Sequence, residues 1–350
     1  MPQGAQAMRR SIRPTTATDA GVVVGLLRDA GLRPSGEPQE LVWKYWLPRA
    51  DWPGARSFVL TEGAEPIAHA ALIPGWCRWQ AQRVAVIHLI DWAARGAAAG
   101  AGVALLKHIG RQAALLAIGG SAATLRILPE VGFRRAGVVT GYVRTLFPLR
   151  LLRERGTPLP RRLLRCARSL AWALAAPRSR DANWQVRRLS GADVSRIADV
   201  LPRPARGMAV IERSVELFHY VLACPVVPLA LFAVEYAGRT RGYFMLAAVP
   251  GQVRIVDCWI DSDEAADWRA MILCAVEQAR LDAQAAEVVI WANDPLLAAA
   301  LTGCGFHARC ETPVWLRPTD TTALPPAPLR VQMLDNDAAF LHEDRAGHWA

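Results

Sequence analysis

The apolar positions fall into short runs with two periodicities. Residues 57–63 (SFVLTEG), 68–74 (AHAALIP) and 86–94 (VIHLIDWAA) are strand-length and bounded by small or turn-forming residues. From residue 100 onward, apolar residues recur at helical spacing in GAGVALLKHI. The second half shows the same kinds of run: LFAVEYAG, GYFMLAA and VRIVDCWI, then a helical segment. Laying the second half on the first exposes a repeat with an offset of about 174 residues. Ile12-Arg13 with Asp19 matches Val186-Arg187 with Asp193, and Trp43-Lys44-Tyr45 matches Phe218-His219-Tyr220. Phe58 matches Phe232 and Gly132-Phe133 matches Gly305-Phe306, while Asp91 comes opposite Asp257 after a shorter connection in the second half.

Each half therefore reads strand, one or two helices, two or three antiparallel strands, helix, strand, helix, strand. That order predicts an α/β (α+β) fold with a mixed sheet and helices on its faces. The expected organisation is a flexible N-terminus at 1–10, a first domain at 11–150 and a basic linker helix within 151–183. A second domain follows at 184–318, then a Pro-rich, later acidic tail at 319–350.

Composition narrows the class. With 52% hydrophobic and 21% charged residues the chain has enough apolar surface for two cores, which excludes a wholly disordered protein. The net charge of +10 is concentrated between Arg150 and Arg188, so it describes a patch and not the whole surface. Residues 159–176 form a basic amphipathic helix there; weak contact with an anionic membrane surface and simple packing both fit it. The patch lacks the interleaved aromatics of a nucleic-acid interface, and no nucleic-acid partner is expected. Seven cysteines without CxxC spacing suit a reduced, cytoplasmic setting and give no metal site.

The candidate chemistry lies after the strand ending near Trp92. Arg95 to Ala104 reads RGAAAGAGVA, in which small side chains let backbone N–H groups and a helix N-terminus approach a phosphate. Small residues also suit close helix-to-sheet packing, so the loop alone leaves both readings open. On Gly100-Ala101-Gly102-Val103-Ala104-Leu105-Leu106, and on Ser121 to Gly132-Phe133, the chain resembles the GNAT superfamily of acyl-CoA N-acyltransferases. The superfamily's Arg/Gln position falls on Ala97, and its usual tyrosine position on Leu128, which has no proton to donate.

The resemblance implies two tandem GNAT-like domains, each a mostly antiparallel twisted sheet splayed at a central cofactor cleft. It also implies acetyl-CoA or another acyl-CoA as substrate, and direct transfer to a small amine or amino sugar. By that resemblance Gly100, Ala101, Gly102, Val103 and Ala104 hold the pyrophosphate, and Arg95 and Ser121 are further cofactor-binding residues. The backbone at Trp92, Ala93 and Ala94 polarises the thioester. Asp91 and His88 are the candidate catalytic groups; strict alternation puts His88 with Ile90 and Trp92, and Asp91 with Ile87 and Leu89. Both also read as structural residues, held by backbone hydrogen bonds in a core. The aromatics Trp43, Tyr45, Trp46, Trp52, Trp76 and Trp79 read either as a core or as an acceptor groove. The second domain resembles the superfamily through Asn293-Asp294 to Gly305-Phe306. Its loop DSDEAADWRAM carries four acids and no glycine, so this half is expected not to bind CoA. A non-catalytic binding or scaffold protein on the same fold is the alternative.

Overall fold

The computed structural model describes residues 10–32, 34, 37–96, 98, 100–153, 158–177, 181–204, 207–319 and 328–340. The flexible stretch expected at 1–10 lies outside the described residues except for Arg10, as do Ala97 and the tail segments 320–327 and 341–350. The described residues form two compact units. One is drawn from Met1–Trp76, Arg83–Arg135 and Trp315–Leu324, the other from Cys77–Gln82, Ala136–Val314 and Pro325–Ala350.

In the first unit, strands β1 (Arg10–Pro14), β2 (Ser57–Glu62), β3 (Glu65–Trp79), β4 (Gln82–Ala94) and β5 (Ala114–Ile118) follow one another across the sheet. β1, β2 and β3 are antiparallel, and β5 joins β4 in parallel. A 3-10 turn, Ala17–Asp19, starts at a Thr16/Asp19 capping box and runs directly into helix α1 (Ala20–Asp29). The helix turns Val23, Leu26 and Leu27 inward at i, i+3 and i+4 spacing. Helix α2 (Pro38–Leu41) runs on into a π-helical turn, Val42–Trp46. These elements cover one face of the sheet through Val59, Ala71, Ile90 and Ala93. Helices α3 (Ala101–Ile109) and α4 (Ala122–Glu130) cover the other, packing on Phe58, Leu60, Leu72, Ile87 and Leu115.

The second unit repeats this plan. Its sheet contains β7 (Trp184–Leu189), β9 (Leu229–Tyr236), β10 (Arg239–Val249), β11 (Gln252–Ile260) and β12 (Glu287–Ala292), with β8 (Ala209–Ile211) alongside. The helices are α5 (Leu159–Ala175), α6 (Val215–Leu222), α7 (Ala265–Ala279) and α8 (Pro295–Gly303). The strand next to β12 is β6 (Arg134–Thr145), a strand of the first sequence repeat, paired antiparallel from Glu287↔Thr145 to Ala292↔Thr140. Conversely, Trp315 near the end of β13 (His307–Arg317), a strand of the second repeat, packs into the core of the first unit. The compact units therefore have different bounds from the sequence repeats.

Candidate functional site

In the first unit, parallel pairing of β4 with β5 ends at His88↔Leu116, and β4 continues to Ala94 while β5 stops at Ile118. His88 sits at the last paired position. It is buried, and its Nδ1 donates to the carbonyl of Leu116, 3.1 Å away, so it clamps the point at which the strands part. Beyond that point α3 begins. Gly100 takes φ +74° as it enters the helix, a conformation open to glycine at little cost, and a Cβ there would meet only open space. The Ala101 N–H is bound to the Ala98 carbonyl. Helix geometry leaves the next N–H groups, those of Gly102 and Val103, without intrahelical acceptors.

Gly102 has a packing reason as well. The Trp92 indole N–H donates to the Gly102 carbonyl at 3.0 Å, and a Cβ on Gly102 would lie 3.1 Å from that nitrogen. Ala104 is exposed on the first turn, whereas Ala101 is fully buried. Arg95 is held by Glu65 and Asp29, and its backbone N–H by the Ile67 carbonyl. Ser121 caps α4, accepting the Thr124 N–H at 3.1 Å. Leu128 is 1% exposed within the core beneath α4.

Strict alternation along β4 fails at Asp91, which has φ +47°. This left-handed residue makes a bulge that resets the pleat. Ile90, Asp91 and Ala93 consequently face α1 and the π-helical turn, while Leu89, Trp92 and Ala94 face α3. The expected grouping of Asp91 with Ile87 and Leu89, and of Trp92 with His88 and Ile90, is thereby corrected. Lys44 lies 2.6 Å and the Tyr45 hydroxyl 2.7 Å from the Asp91 carboxylate. Burial pushes that carboxyl up, but Lys44 and Tyr45 outweigh it and hold the group below the usual carboxylate range.

A directed chain of hydrogen bonds ends on the same residue. The Trp46 indole donates to Thr15 Oγ1 at 2.9 Å, and Thr15 donates to Ser57 Oγ at 2.5 Å. Ser57 Oγ lies 2.9 Å from His69 Nε2, and His69 Nδ1 lies 3.0 Å from the Asp91 carbonyl oxygen. A carbonyl only accepts, so Nδ1 carries the proton and Nε2 takes the serine's. Burial is the main reason the His69 pKa falls to about 4. Sequence reasoning passed over His69, Ser57 and Thr15. The available signal was a histidine in the apolar run AHAALIP, one strand away from Asp91. Trp43 and Tyr45 are buried in the core and Trp52 packs on Trp76 with ring centroids 5.5 Å apart, so these aromatics of the candidate groove are packing residues.

The corresponding place in the second unit is closed. β11 and β12 pair in parallel only as far as Ile255↔Ile290. Three residues further on, Cys258 and Asn293 both bond to the chain's own C-terminal segment. Gln332 accepts the Cys258 N–H and donates to the Cys258 carbonyl, both at 2.8 Å. Asn293 donates to the Leu329 carbonyl and accepts the Val331 N–H. Arg330 lies 3.4 Å from Asp294 and over the Trp259 ring. The residue matching Asp91 is Asp257, locked by Arg213 at 2.9 and 3.0 Å and by the Tyr243 hydroxyl at 2.7 Å.

No family model and no curated protein matches the sequence. Solved structures do match the fold. A yeast (Saccharomyces cerevisiae) N-myristoyltransferase with bound myristoyl-CoA superposes with a TM-score of 0.61 at 13% identity, covering 93% of this chain and 83% of that one. A GCN5-related N-acetyltransferase from Anabaena variabilis gives 0.59 at 12% identity, over 89% and 73%. A tandem GNAT protein from the clavulanic acid biosynthesis pathway gives 0.54 at 13% identity, over 90% of this chain and all of that one. The chain thus has the GNAT fold in tandem.

Proposed function

We propose that the chain is an acyl-CoA-dependent N-acyltransferase with one CoA site, in the first unit. The observation that carries this reading is the asymmetry of the two strand partings: the first leads to a helix start with a glycine at φ +74°, and the second is filled by residues 329–332 of the same chain. The Gly102 and Val103 N–H groups and the positive end of the α3 dipole suit a pyrophosphate, with Ala104 leaving its outer side clear. Ser121, Arg95 and Ala101 support the frame: a helix cap, an ion-paired loop anchor and a buried packing contact. Transfer is direct. The neutral amine of a small amine or amino sugar bonds to the thioester carbon, the C–S bond breaks, and the thiolate takes up a proton as the amine gives one to solvent. The backbone at Trp92 to Ala94 polarises the carbonyl. In this reading His88 and Asp91 are positioning groups, since one is bonded to the Leu116 carbonyl and the other is ion-paired with Lys44.

The test is a thermal-shift and mass-spectrometric screen of acyl-CoAs of increasing chain length against amines. A ligand at ~100 times its dissociation constant adds roughly 2.7 kcal/mol to the stability of its unit. A chain that acetyl-CoA and longer acyl-CoAs leave unshifted, with no acylated amine formed, overturns the proposal. The scaffold reading is favoured by one observation, the burial of Leu128 where the superfamily's tyrosine would stand. It predicts binding without turnover, or no binding.

A further inference from the structure

Helix α5 is turned inside out. Its buried and half-buried positions, Arg162, Arg165, Cys166, Ser169, Trp172 and Ala173, share one face. That face is held by polar contacts: Arg162 donates to the Leu152 carbonyl at 2.8 Å, and the Cys166 thiol lies 3.5 Å from the Pro148 carbonyl. Trp172 stacks on His307 with ring centroids 3.8 Å apart, and Arg168 and Arg309 lie over the same indole. The exposed arc next to this face carries Leu159, Leu163, Leu170 and Leu174 along one side at helical spacing, with Leu164 further round the helix, each 47–72% exposed. Leu149, on the neighbouring 3-10 turn Pro148–Arg153, is 71% exposed as well. Scattered single leucines on a surface need no explanation; an aligned stripe of them on a helix does.

The charge around the stripe selects the partner. Arg161 and Arg168 are exposed one turn to either side of Leu164, on the edge of the exposed arc away from the other four leucines, and Leu159–Ala175 contains four arginines and no acidic residue. An exposed arc with leucines along it, arginines on one edge and no acidic residue on the helix fits an interface that is apolar in its interior and negative at its surface. We infer that α5 docks this protein on the surface of an anionic lipid bilayer, with the leucine stripe among the acyl chains and Arg161 and Arg168 at the phosphates. Among the described residues no helix is long and apolar enough to cross a membrane, so the contact is a surface one. The inference is independent of the acyl-transfer reading, because no residue of α5 belongs to the candidate site.

The experiment uses the full chain and sonicated vesicles, either pure phosphatidylcholine or with about 30 mol% phosphatidylglycerol. Co-flotation is expected with the anionic vesicles only, and to weaken steeply as salt is raised. Leu163→Asp with Leu170→Asp should lower the partition coefficient at least tenfold, and Arg161→Gln by severalfold, with melting temperatures unchanged because these side chains are solvent-facing. Leu159→Gln with Leu174→Gln provides a second, milder pair. Absence of wild-type flotation at low salt overturns the inference, and so does flotation that both leucine pairs leave intact. A concentration-dependent dimer in light scattering that the leucine variants abolish, without vesicle binding, would assign the stripe to a second copy of the chain and equally overturn it.

Discussion

Acidification from pH 7.5 to 5 charges the histidines of an unfolded chain, whereas His69 in the folded first unit resists protonation until about pH 4. Its Nδ1 proton is committed to the Asp91 carbonyl and its Nε2 to the Ser57 hydroxyl, so an added proton would displace the serine's and stand near the Lys44 ammonium in a dry site. The direction follows from linkage: the folded pKa is depressed from 6.5, so the unfolded state binds more protons between pH 6.5 and 4. The stability that His69 contributes is complete above pH 6.5 and is lost as the pH falls through this window. At 1.36 kcal/mol per pH unit the whole window amounts to about 3 kcal/mol, and the step from pH 7.5 to 5 to about 2 kcal/mol. Urea titrations of wild type and His69→Gln at both pH values, with hydrogen exchange of β2 and β3 amides to isolate the first unit, measure it. The variant starts lower, having lost the bonded imidazole, but its stability should fall by about 2 kcal/mol less than wild type on acidification. Equal falls in the two proteins would show that His69 is protonated in the folded state and that the hydrogen-bond directions assigned here are wrong.

Four further outcomes are expected. Ala104→Glu places a carboxylate at the exposed first turn of α3, where the helix dipole favours it, so the melting temperature should hold or rise while stabilisation by acetyl-CoA disappears; stabilisation that persists would remove the pyrophosphate from this turn. Calorimetry with CoA should give a stoichiometry of one, and a value of two would show that residues 329–332 do not close the second unit. Leu128→Tyr should cost about 1–3 kcal/mol by overpacking the core and give no faster turnover, as read by melting temperature and initial rate. Asp257→Ala leaves Arg213 buried with Asp335 as its remaining carboxylate partner among the described contacts, and should lower unfolding free energy by about 3–5 kcal/mol in denaturant titration.

The architecture was legible because periodicity and internal repetition report burial directly. The runs around Phe58, His88, Phe232 and Asp257 all became strands, and the helix after Gly100 starts within one residue of that glycine. The faces of β4 were not legible beyond Ile90. One left-handed residue, Asp91, shifts the alternation, and nothing in VIHLIDWAA marks it, since a strand written without glycine or proline gives no warning of a bulge. The His69 chain was hidden for a different reason: Trp46, Thr15, Ser57 and His69 come from four separate segments of the chain, and their hydrogen bonds leave no spacing in the sequence. The closing of the second parting was half visible. The four acids of its loop were on display, but the insertion of Leu329–Gln332 depends on side-chain amides of Gln332 and Asn293 bonding across a gap, in a tail whose Pro-rich start gave no strand signal.

The traded strands set a rule for dissecting this gene. A cut in the connector at 151–183, where composition invites one, would yield two polypeptides that both lack a native sheet neighbour: the C-terminal piece would present a bare β12 edge, and the N-terminal piece would carry β6 without its β12 partner. Such exposed edges seed aggregation, so halves expressed alone should be insoluble yet rescue one another when produced together. The same trade is the arrangement left when two copies of a single-repeat ancestor, already exchanging a strand as a dimer, are fused end to end. Duplication in that order never has to pass through a chain with an unpaired strand.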